Sequence, residues 1–346
     1  MCVRRRGDAV IFAETRKGPV KRMYVSFAVN VRTIGARQFI RSVWVAVIVV
    51  TVVFYLNPLA HGQELPTVLP TNVRIVHFPS VTLAEERTML VMLPVDYDTA
   101  VRRYPVLYLL HGYDADITDW ARGTNLSDYA TRHQLIIVTP DASHSWYVNS
   151  VSNPKAHYDD YIMKDVIAYA DKNFRTIPEP FARAIAGVSM GGFGAMFLGL
   201  EHRDQFAAIG SFSGSVGFGH VTAHPLPANA TEEEKRERQD YVALMGAPGS
   251  KEQKARDVFE LAQQVPVEEV PMLFLVCGGQ DGGVDQTHAF LQVLAKRRIP
   301  YEYREISLRG HEWRIWNEEI PVFLDKLEKL DGFEPLREQA AERHNR

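Results

Sequence analysis

Ser189 stands in Gly187-Val188-Ser189-Met190-Gly191, a G-x-S-x-G pattern. A serine there has the chemistry of a nucleophile, its hydroxyl raised on a sharp strand-to-helix turn. Alone the pentapeptide is a weak signal, because a glycine-rich turn that merely packs close has the same letters. The flanks sharpen it. Ala184-Ile185-Ala186 reads as a buried strand, and Gly191 to Leu198 opens a helix of small and apolar residues. Glycines beside the serine remove the Cβ atoms that would clash in such a turn. The helix N-terminus is then aimed at the reaction centre.

A serine nucleophile needs a base, and the base needs an orienting acid. In the chain order that accompanies a G-x-S-x-G elbow, acid and then base follow the serine. The histidines after Ser189 are His202, His220, His224, His288, His311 and His344. His311 follows an alternating strand, Tyr301 to Ile306, and a breaking glycine, Gly310, which puts it in a loop at the carboxyl edge of a sheet. His344 is in a polar tail, and His288 falls inside a helical stretch. His202 closes the helix after the elbow and serves its C-terminal dipole. His220 and His224 occupy a loop insert and stay open as alternatives. For the acid, Pro271 to Cys277 is a continuous apolar run, as expected of a strand buried on both faces. Asp281 is the first carboxylate after it, in Gly278-Gly279-Gln280-Asp281-Gly282-Gly283. Asp285, at the start of the next helix, is the competing choice.

An acyl-transfer site also needs two backbone N–H donors for the oxyanion. Met190, just after the nucleophile, supplies one. The second is assigned to Tyr113, in the loop His111-Gly112-Tyr113 after the strand Pro105 to Leu110. His111 precedes the serine in the chain and reads as a structural histidine at a strand end. Ser145-Trp146-Tyr147 follows Pro140-Asp141 at another strand end, and Trp313 follows His311 by two residues. These aromatics are expected beside the site. Trp146 is expected to wall the alcohol side of the cleft with its flat face.

The elements that must position these residues alternate. Strands are expected near 73–78, 87–93, 105–110, 135–139, 183–188, 207–212, 271–277 and 301–306. Helices are expected near 124–133, 157–174, 191–202, 285–297 and 314–330. Apolar runs alternating with amphipathic stretches imply a parallel sheet with crossover helices, an α/β fold. The chain has 346 residues, 46% of them hydrophobic, ample for one sizeable core. Its net charge of −3 leaves no footprint for nucleic acid. No repeat, phosphate-binding loop or dinucleotide fingerprint is present. No histidine or cysteine cluster has metal-ligand spacing in the chain. The segment 215–262 is long for a connection inside a compact domain, and it falls where a lid would cover an acyl pocket. Its mixed-sign run Glu232 to Arg238 reads as a solvated helix face.

Leu107-Tyr108-Leu109-Leu110-His111-Gly112, Ser145-Trp146-Tyr147, Ala184 to Gly192 and Gly310-His311-Glu312-Trp313 resemble, in order, the motifs of the esterase D family of α/β-hydrolases. That family includes tributyrin, feruloyl and acetylxylan esterases, S-formylglutathione hydrolases and mycolyltransferases. The resemblance runs from about residue 72 to 330 and is strongest to the tributyrin-esterase-like branch. It implies an eight-stranded, mostly parallel α/β-hydrolase sheet and carboxylic ester hydrolysis, with Ser189, Asp281 and His311 at the matching triad positions. The acid motif of that branch is usually Gly-x-Glu/Asp-Asp. Here it reads Gly279-Gln280-Asp281, and Asp281 still matches.

The N-terminus is read separately. Arg37 and Arg41 precede an uncharged Val- and Ile-rich stretch, Ser42 to Leu56, and Ala60-His61-Gly62 supplies a small-x-small cleavage pattern. Residues 1–62 are therefore expected to be a signal peptide cut after Gly62, or a retained membrane anchor, with translation starting at Met1 or Met23. The catalytic domain is expected over 63–335, and 336–346 as a polar tail. Loss of Cys2 would leave Cys277 as the one cysteine, read as a small buried hydrophobe.

The expected function is an exported serine esterase acting through an acyl-enzyme on short-chain acyl, sugar or aryl esters, with no metal or organic cofactor. Two rivals remain open: acyl transfer to a carbohydrate acceptor on the same triad, and a catalytically silent envelope or carbohydrate-binding protein on this fold. Acyl length, the alcohol and the oligomeric state are not legible.

Overall fold

The computed structural model describes residues 70–334, apart from 222–225 and 227–228. All of these belong to one unit, Glu64–Arg346. The N-terminal segment 1–62, the tail 336–346, His224 and His344 lie outside the described residues.

Eight strands form one sheet in the order β1-β2-β4-β3-β5-β6-β7-β8. They are β1 (Val73–Ser80), β2 (Glu85–Met92), β3 (Val106–Leu110), β4 (Ile136–Pro140), β5 (Arg183–Val188), β6 (Ala208–Phe212), β7 (Met272–Gly278) and β8 (Glu302–Ile306). β1, β2 and β4 pair antiparallel, and β4 through β8 run parallel. The expected strands are all present, with ends shifted by one or two residues. The reason is legible in burial: β3, β4, β5 and β6 are buried at every position, as strands covered on both faces must be.

Side chains alternate between the two faces. Val106, Tyr108 and Leu110 join one core cluster, and Leu107 and Leu109 join the other. Helices α1 (Asp119–Gly123) and α2 (Leu126–Arg132) follow β3. After β4 comes α3, which runs from Tyr158–Asp160 through a π-turn at Tyr161–Val166 into Ile167–Asn173. α4 (Met190–Glu201) leaves the elbow and is buried at every position up to Leu200.

Among the described residues, the insert after β6 holds four helices that hydrophobic periodicity alone does not separate: α5 (Phe218–Val221), α6 (Glu232–Met245), α7 (Lys251–Lys254) and α8 (Val258–Gln264). α6 begins at a capping box: Thr231 accepts from the Glu234 N–H, and the Glu234 carboxylate accepts from the Thr231 N–H. Finally α9 (Val284–Arg297) and α10 (Trp313–Leu327) follow β7 and β8. Among the described residues, no helix is long and apolar enough to cross a membrane.

Candidate active site

In a parallel sheet every strand's carboxyl end lies on one edge, so the loops after β3, β5, β6, β7 and β8 converge there. Ser189 follows β5 with φ +56° and ψ −116°. A non-glycine residue at positive φ is strained by about 1–3 kcal/mol and persists only where its surroundings enforce it. Here the Ser189 N–H donates to Phe212 at 3.0 Å, and the Ser189 carbonyl accepts from Ser215 at 3.1 Å. The turn is thus clamped by the neighbouring β6 loop. Ser143, Trp146, Tyr147 and Ser213 also have positive φ, and all lie on loops of this edge.

The residues expected as base and acid meet directly. His311 Nδ1 donates to Asp281 Oδ2 at 2.8 Å across 30 residues of sequence. Asp281 is 6% exposed. Burial by itself would raise its carboxyl, but hydrogen bonds from His311, the Gly283 N–H and Ser213 outweigh that and hold it below the ordinary value. With the proton fixed on Nδ1, Nε2 is left as the basic nitrogen of a neutral imidazole. The loops carrying the pair are laced by backbone bonds, Gly279 N–H to Ile306 and Gln280 N–H to Arg309, at 3.0 and 2.7 Å.

The competing residues go elsewhere. Asp285 is exposed in the first turn of α9. His202 caps α4 and bonds Asp159 at 2.7 Å. His288 bonds Glu305 at 2.5 Å. His220 stacks on Phe259 and faces Asp257 at 3.6 Å. Cys277 is buried, and burial together with the nearby Asp281 charge pushes its thiol up to about 12, as suits an inert core residue.

Behind Ser189 stands the β3 loop. A Cβ on Gly112 would lie 3.6 Å from the Ser189 Cβ, ordinary contact distance. Gly191 presses on the carbonyls of Leu110 and His111, an approach that only a glycine permits. Met190 is the first residue of α4, and Tyr113 follows Gly112 on the β3 loop. The Tyr113 ring is 44% exposed and lies against His144, 4.3 Å between centroids.

The aromatic residues divide. Trp146 lines a cavity of about 800 Å³ together with Tyr113, His144, Phe218, Tyr241 and residues of α6. One face of its indole is already covered by Phe218, parallel at 3.2 Å, and Phe193 stands edge-on at 5.7 Å. Its flat face is therefore less open than the sequence implies. Tyr147 is no wall at all: it is fully buried, its ring lies on Gly194, and its hydroxyl donates to the His111 carbonyl at 3.0 Å. Trp313 belongs to the core of the opposite sheet face from Trp146, packed on Gly123 and edge-on to Trp120 and Trp316. The expected substrate contact at Tyr147 is thus corrected to packing, while Trp313 is half-buried against the other sheet face. Helical and loop sequence places an aromatic near an edge without saying which way its ring turns.

A family model of putative esterases matches residues 80–327. The chain belongs to the putative esterase family. An acetyl esterase of Caldicellulosiruptor saccharolyticus is 25% identical to this esterase over 266 residues, 74% of this chain and 97% of that protein. An esterase of Mycobacterium tuberculosis (strain H37Rv) is 40% identical over 130 residues, which are 36% of this chain but only 28% of that protein. Among solved structures, the substrate-bound fluorophosphonate-binding serine hydrolase F of Staphylococcus aureus matches with a TM-score of 0.63 and 25% identity, over 74% of this chain and 97% of that one.

Sequence reasoning missed several residues of the esterase's site. Ser213 and Trp316 stand beside the Asp281–His311 pair, and Phe218 and Tyr241 reach the cavity from the insert. The serine-rich turn Ser211-Phe212-Ser213-Gly214-Ser215 was a signal for the first. Nothing in linear spacing marks the others. Nor does it mark His133, Asp325 and Glu328, whose ligand-type atoms fall within 4.8 Å of one another where α2 meets α10. His133 Nδ1 and Glu328 bond there at 2.7 Å, a contact that requires no ion.

Proposed function

We propose that this esterase cleaves carboxylic esters through a covalent acyl-enzyme on Ser189. The observation that carries this reading is the 2.8 Å bond between His311 and the buried Asp281, on loops one and two strands beyond the β6 loop that clamps Ser189. His311 Nε2 takes the serine proton as Oγ attacks the ester carbonyl. The N–H groups of Met190 and Tyr113 receive the developing oxyanion. The alcohol leaves with the proton from His311, and water, activated in the same way, releases the acid. Asp281 keeps the imidazole in the productive tautomer throughout.

The cavity beside Tyr113 supports a bulky aryl or sugar group on one side of the scissile bond, since it combines Trp146, Phe218 and Tyr241 with Glu234 and Arg238. The arginine flank, apolar run and Ala60-x-Gly62 pattern support export. A fluorophosphonate probe tests the mechanism: it is expected to label Ser189 in the native protein and not in Ser189→Ala. A panel of p-nitrophenyl, feruloyl and acetyl-sugar esters then defines the substrate. Absence of labelling, or ester hydrolysis that survives Ser189→Ala, sinks the proposal.

A further inference from the structure

Three successive carbonyls at the end of β3 are each held by a different buried side chain. The Trp120 indole N–H donates to Leu110 at 2.9 Å, the Tyr147 hydroxyl to His111 at 3.0 Å, and His111 Nδ1–H to Gly112 at 2.7 Å. The last is the informative one. The Gly112 carbonyl and the Tyr113 N–H belong to one peptide group. That group is planar and trans, so its C=O and N–H point in opposite directions. His111 is 1% exposed and draws the carbonyl toward the interior. The N–H must then face away from the interior, on the loop that touches Ser189 through Gly112.

The imidazole is fully committed. Its Nε2 accepts the Ala142 N–H at 3.0 Å, so the ring is the neutral Nδ1–H tautomer. Burial pushes its titration down and keeps that form. Asp141 Oδ1, 3.9 Å from Nε2, is engaged by the Ser143 N–H, and Asp141 Oδ2 by Arg87 at 2.7 Å. The carboxylate is thereby kept from competing for the ring. The Tyr147 ring, edge-on at 6.0 Å, closes another side.

We propose that His111 is a positioning residue for the oxyanion: its Nδ1–H turns the Gly112–Tyr113 peptide so that the Tyr113 N–H meets the reacting carbonyl oxygen. The inference rests on the acyl-enzyme reading above and deepens it. Hydrogen bonding to the carbonyl also polarises the peptide and strengthens its N–H as a donor. His111 touches no substrate and exchanges no proton. A strand-end histidine serving only stability would depend on both of its hydrogen bonds. An oxyanion-positioning histidine depends on the Nδ1 bond alone for rate.

Two amide substitutions separate these. In His111→Asn the amide nitrogen falls near Nδ1 and keeps a donor for Gly112. In His111→Gln the amide oxygen falls near Nε2 and keeps an acceptor for Ala142, but the Gly112 donor is gone. His111→Asn is expected to retain kcat within about threefold, whereas His111→Gln loses about 30- to 300-fold in kcat at little-changed KM, the range for an oxyanion donor weakened or removed. The second-order rate of fluorophosphonate labelling at Ser189 should fall in parallel, because phosphonylation uses the same donors. Equal rates for the two variants, or losses confined to KM and melting temperature, overturn the proposal while leaving the acyl-enzyme reading intact. Failure of the native protein to label at Ser189 overturns both. Should neither variant fold, Tyr147→Phe frees the preceding peptide of the same loop. A drop in kcat of about fivefold, the worth of one hydrogen bond, is then expected, and an unchanged kcat overturns the proposal.

Discussion

The Trp316 indole nitrogen donates to the Ser213 hydroxyl at 3.0 Å, inside the core. The Ser213 side chain helps hold the Asp281 carboxyl below its ordinary value, and the Trp316 ring stands edge-on to the His311 imidazole, 5.0 Å between centroids. One side chain on α10 therefore reaches both members of the Asp281–His311 pair, through Ser213 beside the carboxylate and against the imidazole ring. Ser213 holds its own backbone at φ +47° to do so.

Trp316→Phe keeps the ring against His311 and removes the donor. The expected result is a five- to tenfold fall in kcat/KM, the effect of about one net hydrogen bond on Asp281 alignment. Steady-state kinetics on a p-nitrophenyl ester check it, and an unchanged kcat/KM shows that the indole N–H only satisfies itself in the core.

Ser189→Ala and His311→Ala are each expected to lower kcat by about 10⁴-fold or more, and Asp281→Ala by somewhat less, with near-native circular dichroism. Asp285→Ala should be near wild type, because Asp285 is exposed on α9. The reverse outcome for the two aspartates would assign the acid to Asp285.

Asp281 also makes stability depend on pH. Its folded carboxyl titrates below the ordinary value, while an unfolded one titrates near 3.9. Its contribution is therefore fully present above that unfolded value and is lost as pH falls through the folded one. Melting curves of wild type and Asp281→Asn should differ above about pH 4 and converge in stronger acid. A constant gap across that window argues that the hydrogen bonds, rather than the charge, carry the effect.

Phe218 covers one face of Trp146 in the cavity. Phe218→Ala is expected to raise KM for feruloyl or sugar esters about tenfold, the equivalent of ~1.4 kcal/mol, and to leave methyl and ethyl esters near wild type. Equal losses on both substrate classes would make the stack a packing device only.

Export predicts a processed N-terminus. Edman sequencing of protein recovered outside the cytoplasm should begin at Gln63, after Gly62. A full-length chain held in the membrane fraction supports the anchor instead.

The strands were legible in the sequence because burial on both faces demands uninterrupted apolar runs, as in Met272–Gly278, which closes on a glycine. The elbow was legible because a tight strand-to-helix turn tolerates few residue types around Ser189. The places of Asp281 and His311 were legible as loops at strand ends, which is a statement about topology. Side-chain direction was not. Tyr147 and Trp146 are neighbours with similar positive φ, yet one is sealed under Gly194 and the other lines the cavity. The choice of Asp281 over Asp285 became a contact only when β7 and β8 paired and laced their loops. The bracing by Ser213 and Trp316, and the grip of His111 on its own loop, join residues from different strands and helices. Local sequence carries the period and the punctuation of elements. Which rings, carbonyls and carboxylates then meet is decided by close packing across the sheet, where a few ångströms of displacement make or remove a hydrogen bond.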